Sequence, residues 1–116
     1  MKIYTTYFWK VRQLPEGVVP ISICAKAPDD FTGAQYKKLA PKWDILQKYK
    51  HDGDKESYAN SYLNTILGKL DHDEVLDDLW RLSQGNDIAL VCYEKSGDFC
   101  HRHLAGKWLS EDVTEF

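Results

Sequence analysis

The chain has little of what would mark a secreted, membrane-spanning or nucleic-acid-coating protein. It holds three cysteines and no C-x-x-C pair in 116 residues. That odd count fits reduced thiols better than a disulfide framework, and the spacing argues against a local zinc knuckle. No stretch approaches the roughly 20 consecutive apolar residues of a membrane span, and the opening MKIYTTYFWK lacks the apolar core of a signal peptide. The expectation is a cytoplasmic protein with no membrane partner. Basic residues are not in excess: the formal charge is −3, so nucleic acid is only weakly supported as a partner. Lys37, Lys38 and Lys42, with Lys10 and Arg12 as a second group, read first as solvated faces. Repeats, low-complexity tracts and linkers are also missing, so residues 1–116 are expected to form one domain.

What is present is the composition of a folded globule, 43% hydrophobic and 28% charged. Ile3 to Phe8 (IYTTYF) is β-branched and aromatic and reads as a strand. Val18 to Cys24 has strand composition too, although Pro20 points to a strand start or an edge. Ala27 to Pro41 reads as an extended loop with at most a short helical turn. From Pro41 the pattern turns helical: Trp43, Leu46 and Tyr49 recur before HDGD breaks the element. Asp54 is an expected N-cap for a helix whose Tyr58, Tyr62, Ile66 and Leu70 recur every four residues, with Leu63 and Leu67 alongside. Asp71 and Glu74 resemble a capping box ahead of Val75, Leu76, Leu79 and Trp80, and SQGN at 83–86 ends that helix.

The apolar run IALVCY follows from Ile88, without polar alternation, as expected of a strand covered on both faces. Strands separated by helical material predict an α/β fold: a small, mainly parallel sheet with helices on both faces. Ligands in such sheets sit at the carboxyl ends of the strands. There the loops Tyr7 to Lys10, Cys24 to Asp30 and Tyr93 to Asp98 should converge.

Chemistry is concentrated in EKSGDFCHRHLAGKWL, after the last of these strands. Asp98 is read as an N-cap, placing Phe99, Cys100 and His101 in a first turn whose free amides and dipole favour an anion and a thiolate. Cys100 then becomes a candidate nucleophile, with His101 or His103 as proton carrier. The plainer alternative makes Cys92 and Cys100 small core hydrophobes. Arg102 reads equally as a salt-bridge partner or as a planar fork for an anion. Cys24, Cys92, Cys100, His101 and His103 contain enough soft donors for a metal, but their spacing supports none, so no metal and no cofactor are assigned.

CYEKSGDFCHRHLAGKWL resembles the carboxyl-terminal signature of the bacterial and phage domain-of-unknown-function family four-eight-eight. That resemblance places the family cysteines on Cys92 and Cys100 and its His-Arg pair on His101 and Arg102. IYTTYF and ISICAKAPDDFTGAQYKKLAPKWD extend the likeness over nearly the whole chain. Longer members carry an Asp-Val-Arg run after the second strand; Ile23, Cys24, Ala25 and Lys26 stand there instead, so any ligand role of that arginine passes to Lys26 or is lost. The resemblance implies a fold and a site, not a reaction.

The expectation is a domain that binds a small anionic, nucleotide-like ligand between Thr6 to Phe8, Cys24 to Lys26 and Ser96 to Arg102. Arg102, Gly97, Asp98, Tyr7, Phe8, Lys26 and Cys92 are the candidate binding residues, and Cys100, His101 and His103 the candidate catalytic ones, for hydrolase or transferase chemistry. A non-enzymatic binding or sequestering protein and a thiol redox sensor stand as alternatives. The oligomeric state is not assigned.

Overall fold

A computed structural model describes residues 1–95 and 97–116. Strands β1 (Ile3–Tyr7), β2 (Val19–Ser22), β3 (Ala34–Gln35), β4 (Ile88–Cys92) and β5 (Thr114–Glu115) form one sheet in the order β3-β2-β4-β1-β5. Every pairing is parallel, with Ile3 opposite Ile88 and Val19 opposite the same residue from the other side. Helices α1 (Trp43–Asp52), α2 (Lys55–Thr65) and α3 (His72–Ser83) connect β3 to β4, and α4 (His101–Leu109) connects β4 to β5. The fold is α/β, with β4 at its centre and each of its five residues buried.

Alternation along the strands puts Ile3, Ile21, Ile88, Leu90 and Cys92 on one face. There they join Tyr58 and Tyr62 of α2, Val75 and Leu79 of α3, and Ala105 and Leu109 of α4 in one core. Thr6, Ser22, Ala89 and Val91, on the other parity, are buried as well. Two segments flank that second face: a 3₁₀ helix at Phe8–Gln13 and the loop carrying Phe31, joined by an edge-on contact of Phe8 with Phe31 at 5.2 Å. Right-handed crossovers account for this division, because connections moving one way along the sheet lie on one face and those moving back lie on the other.

Pro20 lies inside β2, between two neighbouring strands rather than at an edge. The amides of Val19 and Ile23 point towards β4, bonding Asp87 O at 2.8 Å and Val91 O at 3.1 Å. The nitrogen of Pro20 therefore faces the β3 side, and β3 begins only opposite Ile21, so no ladder bond is lost. Within the expected loop 27–41 the chain forms two-residue β3 and a 3₁₀ turn at Lys37–Leu39. Caps at both predicted aspartates are present: Asp54 accepts from the Ser57 amide and Asp71 from the Glu74 amide, each at 3.0 Å. The second helix stops at Thr65, before Ile66 and Leu70, and Leu63 is exposed rather than part of the buried stripe.

The connection leaving β2 turns outward to β3, whereas that leaving β4 runs the other way, past β1 to β5. Adjacent parallel strands whose connections diverge leave a crevice at their carboxyl ends. That crevice is where the chemistry-bearing residues lie.

Candidate functional site

Between the segments that follow β2 and β4 lies a cavity of roughly 320 Å³, within the range of small-molecule sites. Cys24 and Lys26 from the β2 exit, Glu94 from the β4 exit, and Cys100 and His101 at the start of α4 line one side. Trp43, Tyr49 and Lys50 of α1, Tyr58 of α2, Tyr93 and Phe99 complete an aromatic wall. Tyr49, Tyr58 and Phe99 pack on one another with centroids 5.1 to 5.3 Å apart. The Tyr93 hydroxyl donates to the Lys26 carbonyl at 2.6 Å, tying the two strand exits together across the rim.

Asp98 does not cap α4. Cys100 occupies the cap position with extended backbone, φ −155° and ψ 147°, and the helix begins at His101. The amide of Asp98 bonds instead to Lys95 O, inside a turn of its own. The helix start thus lies two residues later than the spacing suggested, and it is the thiol that stands at the positive end of the dipole.

The His101 ring is held by its neighbours. Its Nε2 lies 2.7 Å from the Ile23 carbonyl, an oxygen that can only accept, so Nε2 carries a proton. Cys100 Sγ lies 3.7 Å from Nδ1, and Cys92 Sγ lies beside both ring nitrogens, 3.7 Å from Nδ1 and 3.6 Å from Nε2. Tyr62 closes the far side of the ring edge-on at 5.6 Å and donates its own hydroxyl to Leu39 O.

Burial opposes ionisation of Cys100, but the Cys92 thiol, the His101 imidazole and the Arg102 amide outweigh it and hold this sulfur well below the ordinary thiol range. Burial also works against charge on His101, and the contact with Cys100 overcomes it, raising the imidazole. Both shifts favour the charged form of the pair over the neutral one. Cys92, fully buried, is pushed far up by desolvation and stays a thiol; Cys24 is lowered by the hydrogen bond that Cys92 gives it. Desolvation and the Cys100 charge raise Glu94. All three cysteines are free.

Other predicted residues lie elsewhere. Arg102 is wholly buried and faces away from the cavity. Its Nε and Nη2 fork onto the Glu115 carboxylate at 3.2 and 2.8 Å, and its Nη1 donates to the Glu94 carbonyl at 2.6 Å. It is a salt-bridge residue that fixes the β4 exit, not an open fork for an anion. His103 points the same way, with Nδ1 3.9 Å from Glu115. Gly97 and Asp98 are exposed in the turn before α4 and do not line the cavity; Ser96 is outside the described residues. Tyr7 is half-buried at the end of β1, and Phe8 braces Tyr93 from outside at 4.8 Å.

The site thus keeps Lys26, Cys100 and His101, with Cys92 directly behind them. Sequence reasoning missed the aromatic wall, because Tyr49 and Tyr58 at helical spacing look like core. No sequence signal set Trp43 apart: it is 74% exposed beside the cavity, and Trp9, which does not line it, is 82% exposed.

The family model described as "DUF488-N3a: Active DUF488-N3 subclade" matches residues 4–113. No curated protein and no solved structure matches the chain.

Proposed function

From a chain that belongs to the DUF488 family, we propose an enzyme that binds a small anionic, nucleotide-like molecule in the aromatic cavity and carries out Cys100-dependent group transfer or hydrolysis. The observation that carries this reading is the placement of Cys100 on the cavity wall with His101 Nδ1 3.7 Å away and Nε2 locked by a carbonyl. That is the arrangement of an activated nucleophile, its base, and an orienting group. Cys100 Sγ attacks an electrophilic centre of the ligand and the leaving group departs, taking the proton held at Nδ1. His101 Nδ1 then takes a proton from water or a second acceptor, whose oxygen bonds to the group as the bond to sulfur breaks, so the Cys100 thiolate and the protonated imidazole both return.

Ring faces of Tyr49, Trp43 and Phe99 suit a planar base, and the ammonium groups of Lys26 and Lys50 suit a phosphate. A cavity of this size, on a chain of net charge −3, fits a free small molecule better than a nucleic-acid strand. Free thiols fit the reducing cytoplasm, the setting proposed here.

The test is alkylation of the folded, chelator-treated protein with iodoacetamide near neutral pH, read by peptide mass. A single adduct on Cys100 is expected, suppressed by whichever nucleotide raises the melting temperature most in a screen. If Cys100 labels only after unfolding, the nucleophile is lost. A binding protein without turnover is the second reading, favoured by the exposures of Cys24, Cys92 and Cys100, 7%, 0% and 3%. Under it, the screen finds a ligand while Cys100 stays inert.

A further inference from the structure

Cys92 contributes no step to the chemistry above, yet it is the residue most firmly placed beside it. Its sulfur, the Cys100 sulfur and a His101 ring nitrogen all lie within 4.8 Å of one another, and all three residues are buried. We infer that Cys92 Sγ, Cys100 Sγ and His101 Nδ1 are a three-ligand site for a thiophilic divalent ion of the zinc class, with the fourth coordination position turned to the cavity.

Four features support this. The donors are two sulfurs and an imidazole, the soft and borderline set that zinc prefers. Both sulfurs stand 3.7 Å from Nδ1. With metal–sulfur and metal–nitrogen bonds of about 2.3 and 2.05 Å, a tetrahedral site requires a sulfur–nitrogen edge of about 3.6 Å, and both edges are close to that length. Cys92 Sγ, which also lies 3.6 Å from Nε2, must swing to the Nδ1 side to share the ion. Nε2 is already bound to the Ile23 carbonyl at 2.7 Å, the outer hydrogen bond that fixes a metal-ligating histidine and directs its other nitrogen to the ion. An entry path exists as well: Cys100 and His101 line the cavity and Cys92 lies beneath them, so an ion arriving from solvent meets the open side of the trio.

Two protein thiolates, one imidazole and an exchangeable position form the pattern of a reactive metal site rather than a closed structural one. Binding expels two protons, one from Cys92 and one shared by Cys100 and His101, while Nε2 keeps its own. Cys24 packs against Cys92 but stands outside the trio. Because a coordinated Cys100 sulfur cannot attack a ligand, metal loading and thiol transfer exclude one another at this residue. The inference does not rest on the transfer reading.

The experiment is a titration of the metal-free full chain with Co²⁺ under anaerobic conditions. One equivalent should produce sulfur-to-cobalt charge-transfer absorption and the visible bands of a tetrahedral ion, both removed by Zn²⁺. Cys24→Ser should leave the spectrum unchanged. Cys92→Ser should reduce the charge-transfer intensity by about half and weaken binding by more than about 100-fold, beyond the loss typical of an outer-shell partner. Absence of the charge-transfer band in the natural chain overturns the site, and so does a Cys24→Ser variant that loses it. A measurement free of variants accompanies this: Zn²⁺ should protect Cys100 from iodoacetamide, and chelator should reverse the protection. Labelling of Cys100 at the same rate with and without Zn²⁺ overturns the metal site and leaves thiol transfer standing. A full cobalt spectrum on a protein whose metal-free Cys100 never labels does the opposite.

Discussion

Arg102 carries a charge into a wholly buried position, and each of its partners comes from a different part of the chain. The Glu94 carbonyl lies at the end of one strand and the Glu115 carboxylate on another, where it also accepts from the Thr5 hydroxyl. Removing one member of a buried pair strands the other. The Glu115 side chain keeps 27% exposure, so the loss falls at the low end of the range for buried pairs. Arg102→Met is expected to lower stability by about 3 kcal/mol, read from the urea midpoint at constant slope. Thr6 is the opposite case. Its hydroxyl is buried and has no partner among the described residues. Thr6→Val keeps the shape and removes the unsatisfied group, so it should raise stability by about 1 kcal/mol and increase the melting temperature.

Among the elements, α4 shows how closely packing constrains sequence. A Cβ on Gly106 would come within 2.9 Å of Val113 Cγ2 and 3.0 Å of Thr5 Cγ2. Alanine there gains about 1 kcal/mol of helix propensity, but crowding two β-branched side chains costs about 1–3 kcal/mol, so Gly106→Ala should destabilise. At the start of α3 the matter is simpler: Asp71→Ala should cost about 1 kcal/mol through the lost cap, seen as a lower melting temperature.

A pH effect belongs to the contact between the β3 exit and α3. The Tyr36 hydroxyl, followed by Lys38, holds the Asp78 carboxyl below the usual range. A carboxyl depressed in the folded state adds stability above its unfolded pKa, about 3.9, and that stability fades as pH falls through the folded value. Asp78→Asn should therefore lower stability at neutral pH, leave it unchanged at the acid end, and so flatten the acid limb of a stability–pH curve measured by urea midpoint.

These elements also show what the sequence made legible. Asp54 and Asp71 announced two helix starts because a cap is a local event, decided by a side chain and an amide three residues on. IALVCY announced the central strand because nothing in it is polar. Asp98 misled because its own amide bonds to Lys95 O and the helix begins only after Cys100, next to Arg102, whose guanidinium holds the Glu94 carbonyl. Arg102 could be read as a fork but not as an engaged one, since Glu115 meets it only through the pairing of β5 with β1. The aromatic wall was hidden in the same way. Whether Tyr49 or Tyr58 faces core or cavity depends on where α1 lies, and periodicity does not report that.

At the scale of the molecule, β4 is the strand on which the others depend. β1 pairs with β4 and β5, and β2 pairs with β4 and β3. Remove β4, and what remains of the first 87 residues is a two-residue pairing of β2 with β3. A fragment of residues 1–87 should therefore show the circular dichroism of an unfolded chain and no cooperative transition, and adding a peptide of 88–116 should recover native dichroism and a cooperative transition in part. The consequence is one of time. The contact of Ile3 with Ile88 closes a loop across most of the chain before any sheet exists, so folding should be slow for a protein of this length. During synthesis the strand Ile3–Tyr7 waits unpaired until Ile88–Cys92 has left the ribosome. For that interval the nascent chain depends on whatever shields IYTTYF from its neighbours, and crowding it with fast translation should cost soluble yield before it costs activity.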